Sequence, residues 1–168
     1  MAAVRGLGQL PDDALVLLIG PSGAGKSAWA ASHCEPGTVL SSDALRELVA
    51  GDAADQSASA DAFKVLHVVA RARARRGLFT VVDATNLTVS ARRSLLRLAA
   101  RAGRPAVAVV FEVSLERCLA QNGARPDRQV PDDVVRKHHA RLRDAVDRIP
   151  EEGFAAIRTL RDADLPAD

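Results

Sequence analysis

The stretch GPSGAGKS, from Gly20 to Ser27, restricts what this chain can fold into more than any other feature. It fills the pattern G-x-x-x-x-G-K-[ST], directly after the apolar run at 15–19 and directly before an alanine-rich helical segment at 28–32. That context is what the pattern requires: a strand, a glycine-rich turn whose backbone N–H groups face phosphate oxygens, and a helix N-terminus that adds partial positive charge. Gly20, Ser22, Gly23, Ala24 and Gly25 are expected to wrap the phosphates of a nucleoside triphosphate. Lys26 should bridge the β- and γ-phosphates, and Ser27 should ligate Mg²⁺. A glycine-rich turn matching by chance is the alternative, and the strand and helix context leaves it little room.

The remaining pattern agrees with the fold this motif demands. Apolar runs at 38–40, 80–82, 106–113 and 155–160 read as further strands, separated by helical segments. Residues 57–76 carry Phe63, Leu66, Ala70 and Arg73 at helical spacing, and residues 90–101 carry Leu95, Leu96, Leu98 and Ala99. Residues 131–149 begin with a proline and two acids, Asp132 and Asp133, then turn basic, the polarity a helix dipole favours. Val135, Leu142, Val146 and Ile149 form the expected buried stripe of that helix. The polar stretch 51–57 reads as a loop, with Ser57 or Ser59 capping the helix that follows. Strands alternating with crossover helices predict a parallel sheet in a three-layer α/β architecture.

Length and composition bound the class of protein. A chain of 168 residues suits one domain, 1–168, and 48% hydrophobic with 26% charged residues is the make-up of an ordinary globular protein. No helix-length apolar run appears, so no membrane span is expected. The N-terminus lacks the apolar core of a secretory signal, and Cys34 and Cys118 are far apart and read as buried thiols. A cytoplasmic, disulfide-free protein is the expectation. A net charge of +2 is compatible with a polyanionic partner but too small to demonstrate one. With 3% aromatics and no Tyr, a stacking platform for single strands is disfavoured.

Ligands of open α/β sheets bind at the carboxyl ends of the strands, so acids just past an apolar run are the first suspects. Asp43 follows VLSS and Asp83 follows TVV. Such an acid can accept an acceptor's proton, hold Mg²⁺ through water or anchor an arginine. Asp43 could equally be a helix N-terminal acid favoured by the dipole, with Arg46 three residues on along the same face. Around Asp83, the run Asp83-Ala84-Thr85-Asn86 crowds hydrogen-bonding groups onto one strand end, which favours a site. Arg125 and Arg128, between two predicted helices, could close over a triphosphate with the planar fork that suits arginine to phosphate. A solvated basic turn fits that spacing as well. The clusters Arg71, Arg73, Arg75, Arg76 and Arg92, Arg93 read as solvated helix faces, and His138 and His139 as structural or exposed. His33 and His67 have no ligand set around them to suggest a metal.

Taken together, these residues resemble the 5′-OH polynucleotide kinases, most closely the kinase domain of the bacterial polynucleotide kinase-phosphatases of RNA end-healing and repair. The resemblance covers nearly the whole chain, through GPSGAGKS at 20–27, SSDALR at 41–46, DQS at 55–57, VVDATN at 81–86, RPDRQVPDDVVRKHH at 125–139 and EEGF at 151–154. The P-loop is common to many kinases; the combination of SSD-x-x-R, DATN and R-x-x-R is far more selective. It implies a P-loop kinase fold with a five-stranded parallel sheet in the order 2-3-1-4-5, flanked by helices and carrying an arginine-bearing lid. It implies ATP and Mg²⁺ as cofactors and a 5′-OH polynucleotide, RNA or DNA, as acceptor. Asp43 would be the general base and, with Ser27, a metal-site residue, and Arg46 would contact the acceptor's phosphate. Lys26, Arg125 and Arg128 would hold the donor phosphates, Ser27 would ligate Mg²⁺, and Asp83 would orient Arg46 or metal-bound water.

No phosphatase or ligase-like sequence accompanies the kinase motifs, so phosphorylation of 5′ ends without processing of 3′ ends is expected. A homodimer, and phosphatase or ligase partners as separate domains or proteins, are compatible with the resemblance. Two rival functions share the P-loop: a small-molecule kinase for a sugar, antibiotic or nucleotide-sugar, since a fold does not specify its acceptor, and a nucleotide-dependent binding module that transfers nothing.

Overall fold

Five segments rich in Val, Leu, Ile and Ala pair into one parallel sheet in the computed structural model, which describes residues 10–125 and 129–166. The strands are β1 (Leu15–Ile19), β2 (Val39–Ser41), β3 (Thr80–Asp83), β4 (Ala106–Phe111) and β5 (Ala156–Leu160), in the spatial order β2-β3-β1-β4-β5. Every residue of β1, β3 and β4 is buried, as strands covered on both faces require, whereas the two edge strands are partly open. Register fixes what happens at the strand ends. Leu15 lies opposite both Thr80 and Ala106, and Ser41 lies opposite Asp83, so β1, β2 and β3 deliver Gly20, Asp43 and Asp83 to one edge.

Among the described residues six helices cover the sheet: α1 (Lys26–His33), α2 (Ser42–Ala50), α3 (Ser59–Arg75), α4 (Val89–Arg101), α5 (Leu115–Gly123) and α6 (Asp132–Val146). The two-residue period of the strands sorts the core into two layers. Val16 and Leu18 of β1, with Val107 and Val109 of β4, pack with Trp29, Cys118 and Val135. Leu15, Leu17 and Ile19 face the other way, packing with Leu66 and Ala70 of α3, Leu95 and Ala99 of α4 and Leu142 of α6. Among the described residues, no helix is long and apolar enough to cross a membrane.

The structure moves several boundaries. Four strands end or begin one or two residues from the apolar runs, and the last helix stops at Val146, with residues Ile149–Glu152 forming a separate 3-10 turn. Neither Ser57 nor Ser59 caps α3. Asp55 instead accepts the backbone N–H and hydroxyl of Ser57 at 2.9 and 2.6 Å, organising a 3-10 turn at Gln56–Ala58 that runs into α3. Because Ala58 and Ser59 already have helical dihedrals, α3 starts without a side-chain cap. Cys34 and Val146 are half-buried rather than buried; Cys118 and the rest of the α6 stripe are buried as expected.

Arg92 and Arg73 are not on solvated faces. Arg92 is fully enclosed, in phase with Leu95 and Ala99; its Nε and Nη2 donate to Glu152 at 2.7 and 2.5 Å, and its Nη1 donates to the Asn86 carbonyl at 3.0 Å. Arg73 donates to Thr80 Oγ1 and the Phe79 carbonyl at 2.9 and 2.8 Å, locking α3 to the start of β3. In both, the apolar stem fits a helix face that packs inward while the guanidinium finds fixed acceptors.

Candidate active site

The loop after β1 is shaped by close approach as much as by dihedral freedom. Gly23 sits at φ +79°, and a Cβ there would stand 2.1 Å from the Cys118 carbonyl oxygen of α5, so no side chain fits. Gly25, at φ +86°, turns the chain into α1. The Gly20 N–H donates to the Thr85 carbonyl at 3.0 Å, which ties the loop's first residue to the end of β3. Lys26 is buried, and its Nζ donates to the carbonyls of Gly20 and Pro21 at 3.0 and 2.6 Å. Burial lowers its pKa to about 8, against the opposing pull of Asp83 and Asp43.

Asp83, one strand away, accepts a hydrogen bond from Ser27; burial raises its pKa, with Ser27 and Lys26 pulling the other way. Lys26 and Asp83 therefore meet at low solvent access with their charges each disfavoured by desolvation. An incoming polyanion would favour the charged lysine, and a cation would favour the charged carboxylate.

Helix α2 presents the second acid. Ser41 caps it by accepting the Ala44 N–H, placing Asp43 in the first turn. Arg46, 6% exposed, pairs with Asp43 and donates from Nε to the Ala53 carbonyl at 2.9 Å. Of the two tasks expected for Asp83, orienting Arg46 is not what is seen: Arg46 is held by Asp43 and Ala53, and Asp83 by Ser27.

On the opposite side, Asn122 of α5 clips Val130 through both backbone groups, donating to its carbonyl at 2.7 Å and accepting its N–H at 3.0 Å. Arg125, between the clipped residues, is half-buried and near enough for its charge to lower the pKa of both Lys26 and Asp83. Arg128 lies outside the described residues. His138 of α6 is a site residue that the sequence reading passed over. Its Nδ1 is 3.1 Å from Ser22 Oγ, and burial, with Lys26 and Arg141 nearby, lowers its pKa. The missed signal was phase: His138 lies three residues after Val135 and four before Leu142, on the inward stripe. His139 reaches the Val113 carbonyl at 3.1 Å and is structural.

These side chains share one cavity of about 580 Å³. Ser22, Gly23, Lys26 and Ser27 line it from the loop, Asp43 and Arg46 from α2, Asp83 from β3, and Arg125 and His138 from the α5–α6 side. Gly20, Ala24 and Gly25 shape the loop without lining the cavity. A larger hollow of about 740 Å³, between α4 and the N-terminal ends of β4 and β5, contains none of them.

Ser27 and Asp83 offer oxygen donors fitted to a hard divalent cation. Among the described residues no group of three or more His, Cys, Asp or Glu could hold a metal alone. That donor set suits Mg²⁺, which is commonly held by one or two protein oxygens together with phosphate oxygens and water.

A search of curated proteins finds no significant match. Solved structures with the same fold include the Pnkp1/Rnl/Hen1 RNA repair complex, with a TM-score of 0.71 and 17% identity over 86% of this chain and 49% of that one. The AvrRxo1-ORF1:-ORF2 complex with ATP gives a TM-score of 0.67 and 18% identity over 95% of this chain and 57% of that one. A gluconokinase from Sinorhizobium meliloti 1021 gives 0.55 and 19% over 94% and 86%. The chain thus spans about half the length of the first two, and at these identities the likeness is one of fold. The model of a protein family described as an AAA domain matches residues 15–149, from the first residue of β1 to beyond the end of α6, and the chain belongs to that family as a P-loop kinase-like domain.

Proposed function

We propose that this domain transfers the γ-phosphoryl group of ATP to the 5′-hydroxyl of a polynucleotide. The observation that carries the reading is the position of the Asp43–Arg46 pair, which faces the same cavity as Lys26 and Ser27 from the end of β2, two strands away. In-line phosphoryl transfer asks the protein mainly for positioning and charge stabilisation. Lys26 would exchange its two carbonyl acceptors for donor phosphate oxygens, with Arg125 and Arg128 closing on the same phosphates. Mg²⁺ held by Ser27 and Asp83 would neutralise part of the triphosphate charge. Asp43 would take the proton from the attacking hydroxyl, within hydrogen-bond reach.

Arg46 separates this acceptor from a polyol. A polynucleotide carries a phosphate beside its terminal nucleoside, and Arg46 Nη1 has no partner among the described residues. The RNA repair complex among the structural neighbours supports an RNA acceptor and a protein partner. The gluconokinase likeness favours a small polyol instead. The deciding experiment measures γ-phosphate transfer from ATP to matched 5′-OH RNA and DNA oligonucleotides and to a panel of sugars including gluconate. Transfer to oligonucleotides is expected; transfer to a sugar alone would replace this reading with the small-molecule one.

A further inference from the structure

Two further hollows continue from the active-site cavity along the seam between α3 and α4. The first, about 420 Å³, shares Phe63, Thr85 and His138 with the active site, and the second, about 440 Å³, shares His67 with the first. Phe63, His67, Arg71 and Arg75 follow one another at intervals of four on α3, forming one stripe. Across the seam, α4 supplies Ser94, Arg97 and Arg101. No acidic residue lines either hollow.

Cations of the molecule are of two kinds, those with a carboxylate partner and those without, and what sets this seam apart is that four of the second kind line one concavity. Lys64, Lys137, Arg104 and Arg161 each have a carboxylate partner. Arg71, Arg75, Arg97 and Arg101 are exposed and make no ion pair among the described residues. Two like-charged pairs, Arg71 with Arg75 and Arg97 with Arg101, stand four residues apart, where like charges repel. A trough of uncompensated guanidinium groups running into a phosphoryl-transfer site is the electrostatic footprint of a polyanion.

We infer that this α3–α4 trough binds the acceptor strand beyond its terminal nucleotide, through the strand's phosphates. The inference rests on the proposed polynucleotide acceptor and adds to it a site of defined length. From Phe63 to Arg75 the stripe extends about 18 Å at 1.5 Å per helical residue, room for about three to five nucleotides of single strand. A concave seam between two helices, continuous with the active site, matches a strand threading from that site. A membrane would require a broad exposed face instead.

The test compares wild type with Arg71→Gln/Arg75→Gln, neither residue belonging to the catalytic machinery. Each enzyme is assayed with a 5′-OH nucleoside 3′-monophosphate and with 5′-OH strands of increasing length, at several salt concentrations. Wild-type KM should fall with acceptor length and level off at about five nucleotides. The double variant should keep wild-type kinetics on the monophosphate and lose most of the gain from length. Its log–log salt slope on long acceptors should be shallower by about 1.4, so that its KM rises about sevenfold less between about 50 and 200 mM salt. Restoring charge with Arg71→Lys/Arg75→Lys should restore the slope.

An unchanged length dependence in the glutamine variant overturns the trough and leaves the polynucleotide reading standing. Equal loss on the monophosphate and the long strand also overturns it, by assigning the arginines to the fold. If no strand of any length is phosphorylated while a sugar is, both readings fall together. Length-independent kinetics, with wild type but not variant sedimenting with phosphatidylserine vesicles, would reassign the trough to a membrane surface.

Discussion

Two arginines are buried among the described residues, and each meets a carboxylate, yet they stand in different relations to the cavity. Arg92 directs Nε and Nη2 to Glu152 and Nη1 to the Asn86 carbonyl, all away from solvent. Arg46 pairs with an acid three residues away and anchors Nε on a loop carbonyl, but its Nη1 has no such acceptor and the residue lines the cavity. An arginine whose three nitrogens are all engaged within the protein can hold structure together. One that keeps donors toward a cavity can also recognise an anion. Burial alone does not separate the two, whereas a count of remaining donors does.

The largest effect expected from this contrast is on stability. Arg92→Ala leaves the Glu152 carboxylate, itself 13% exposed, without its partner and should cost about 3–5 kcal/mol, read by urea unfolding. Arg46→Ala should cost far less in the same measurement; equal losses would make Arg46 another structural arginine. Next is Asp43→Asn, which keeps the shape of Arg46's partner but removes the base. Turnover should fall about 10²-fold or more while ATP binding, followed by calorimetry, survives. Wild-type turnover in that variant would leave Asp43 as a first-turn acid favoured by the helix dipole.

Arg46→Ala should weaken a 5′-OH nucleoside 3′-monophosphate by about 1.5–3 kcal/mol in kcat/KM and leave the corresponding nucleoside almost unaffected. Equal loss on both acceptors would place Arg46 on the donor side or in the fold. The smallest effect concerns Lys26, whose pKa is lowered to about 8 in the free protein. A bound triphosphate raises that pKa, so above pH 8 binding must take up a proton. ATP affinity should therefore be flat below pH 8 and fall by up to about tenfold per pH unit above it, until the bound-state pKa is reached. In the free protein the sign is opposite: the unfolded chain binds the extra proton between pH 8 and 10.5, so Lys26 makes stability rise with pH there. A stability profile lacking that rise would mean that the lysine's environment is wetter than the cavity geometry shows.

Much of this could be read before folding. The motif at 20–27, the five apolar runs and the order of SSDALR and DATN led to the sheet and to eight residues that share the cavity: Ser22, Gly23, Lys26, Ser27, Asp43, Arg46, Asp83 and Arg125. What escaped was set by partners distant in sequence or by residue type overruling position. Arg92 lies in phase with Leu95 and Ala99, so its inward direction was visible, but Glu152 is 60 residues away and nothing local announces it. His138 likewise shares the stripe of Val135 and Leu142, and its partner Ser22 is 116 residues earlier. The α3–α4 trough was missed for a different reason. One row of arginines on a helix looks solvated until a second row is found facing it.

The register of β1 has a consequence for how the chain is made. Its two neighbours in the sheet are β3 and β4, so Leu15 acquires its second hydrogen-bonded strand only at Ala106, about 90 residues later. At about 5–20 residues per second, a ribosome takes roughly 5–18 seconds to cover that distance. Through that interval the loop at 20–27 has been synthesised but lacks the Thr85 carbonyl that fixes Gly20, then the strand that flanks β1, and last the α5 backbone that packs against Gly23. Pairing over such separations also slows folding, because the connecting loops must close before any contact repays them. The phosphate cradle leaves the ribosome ahead of four of the five strands and is among the last parts of the domain to take shape.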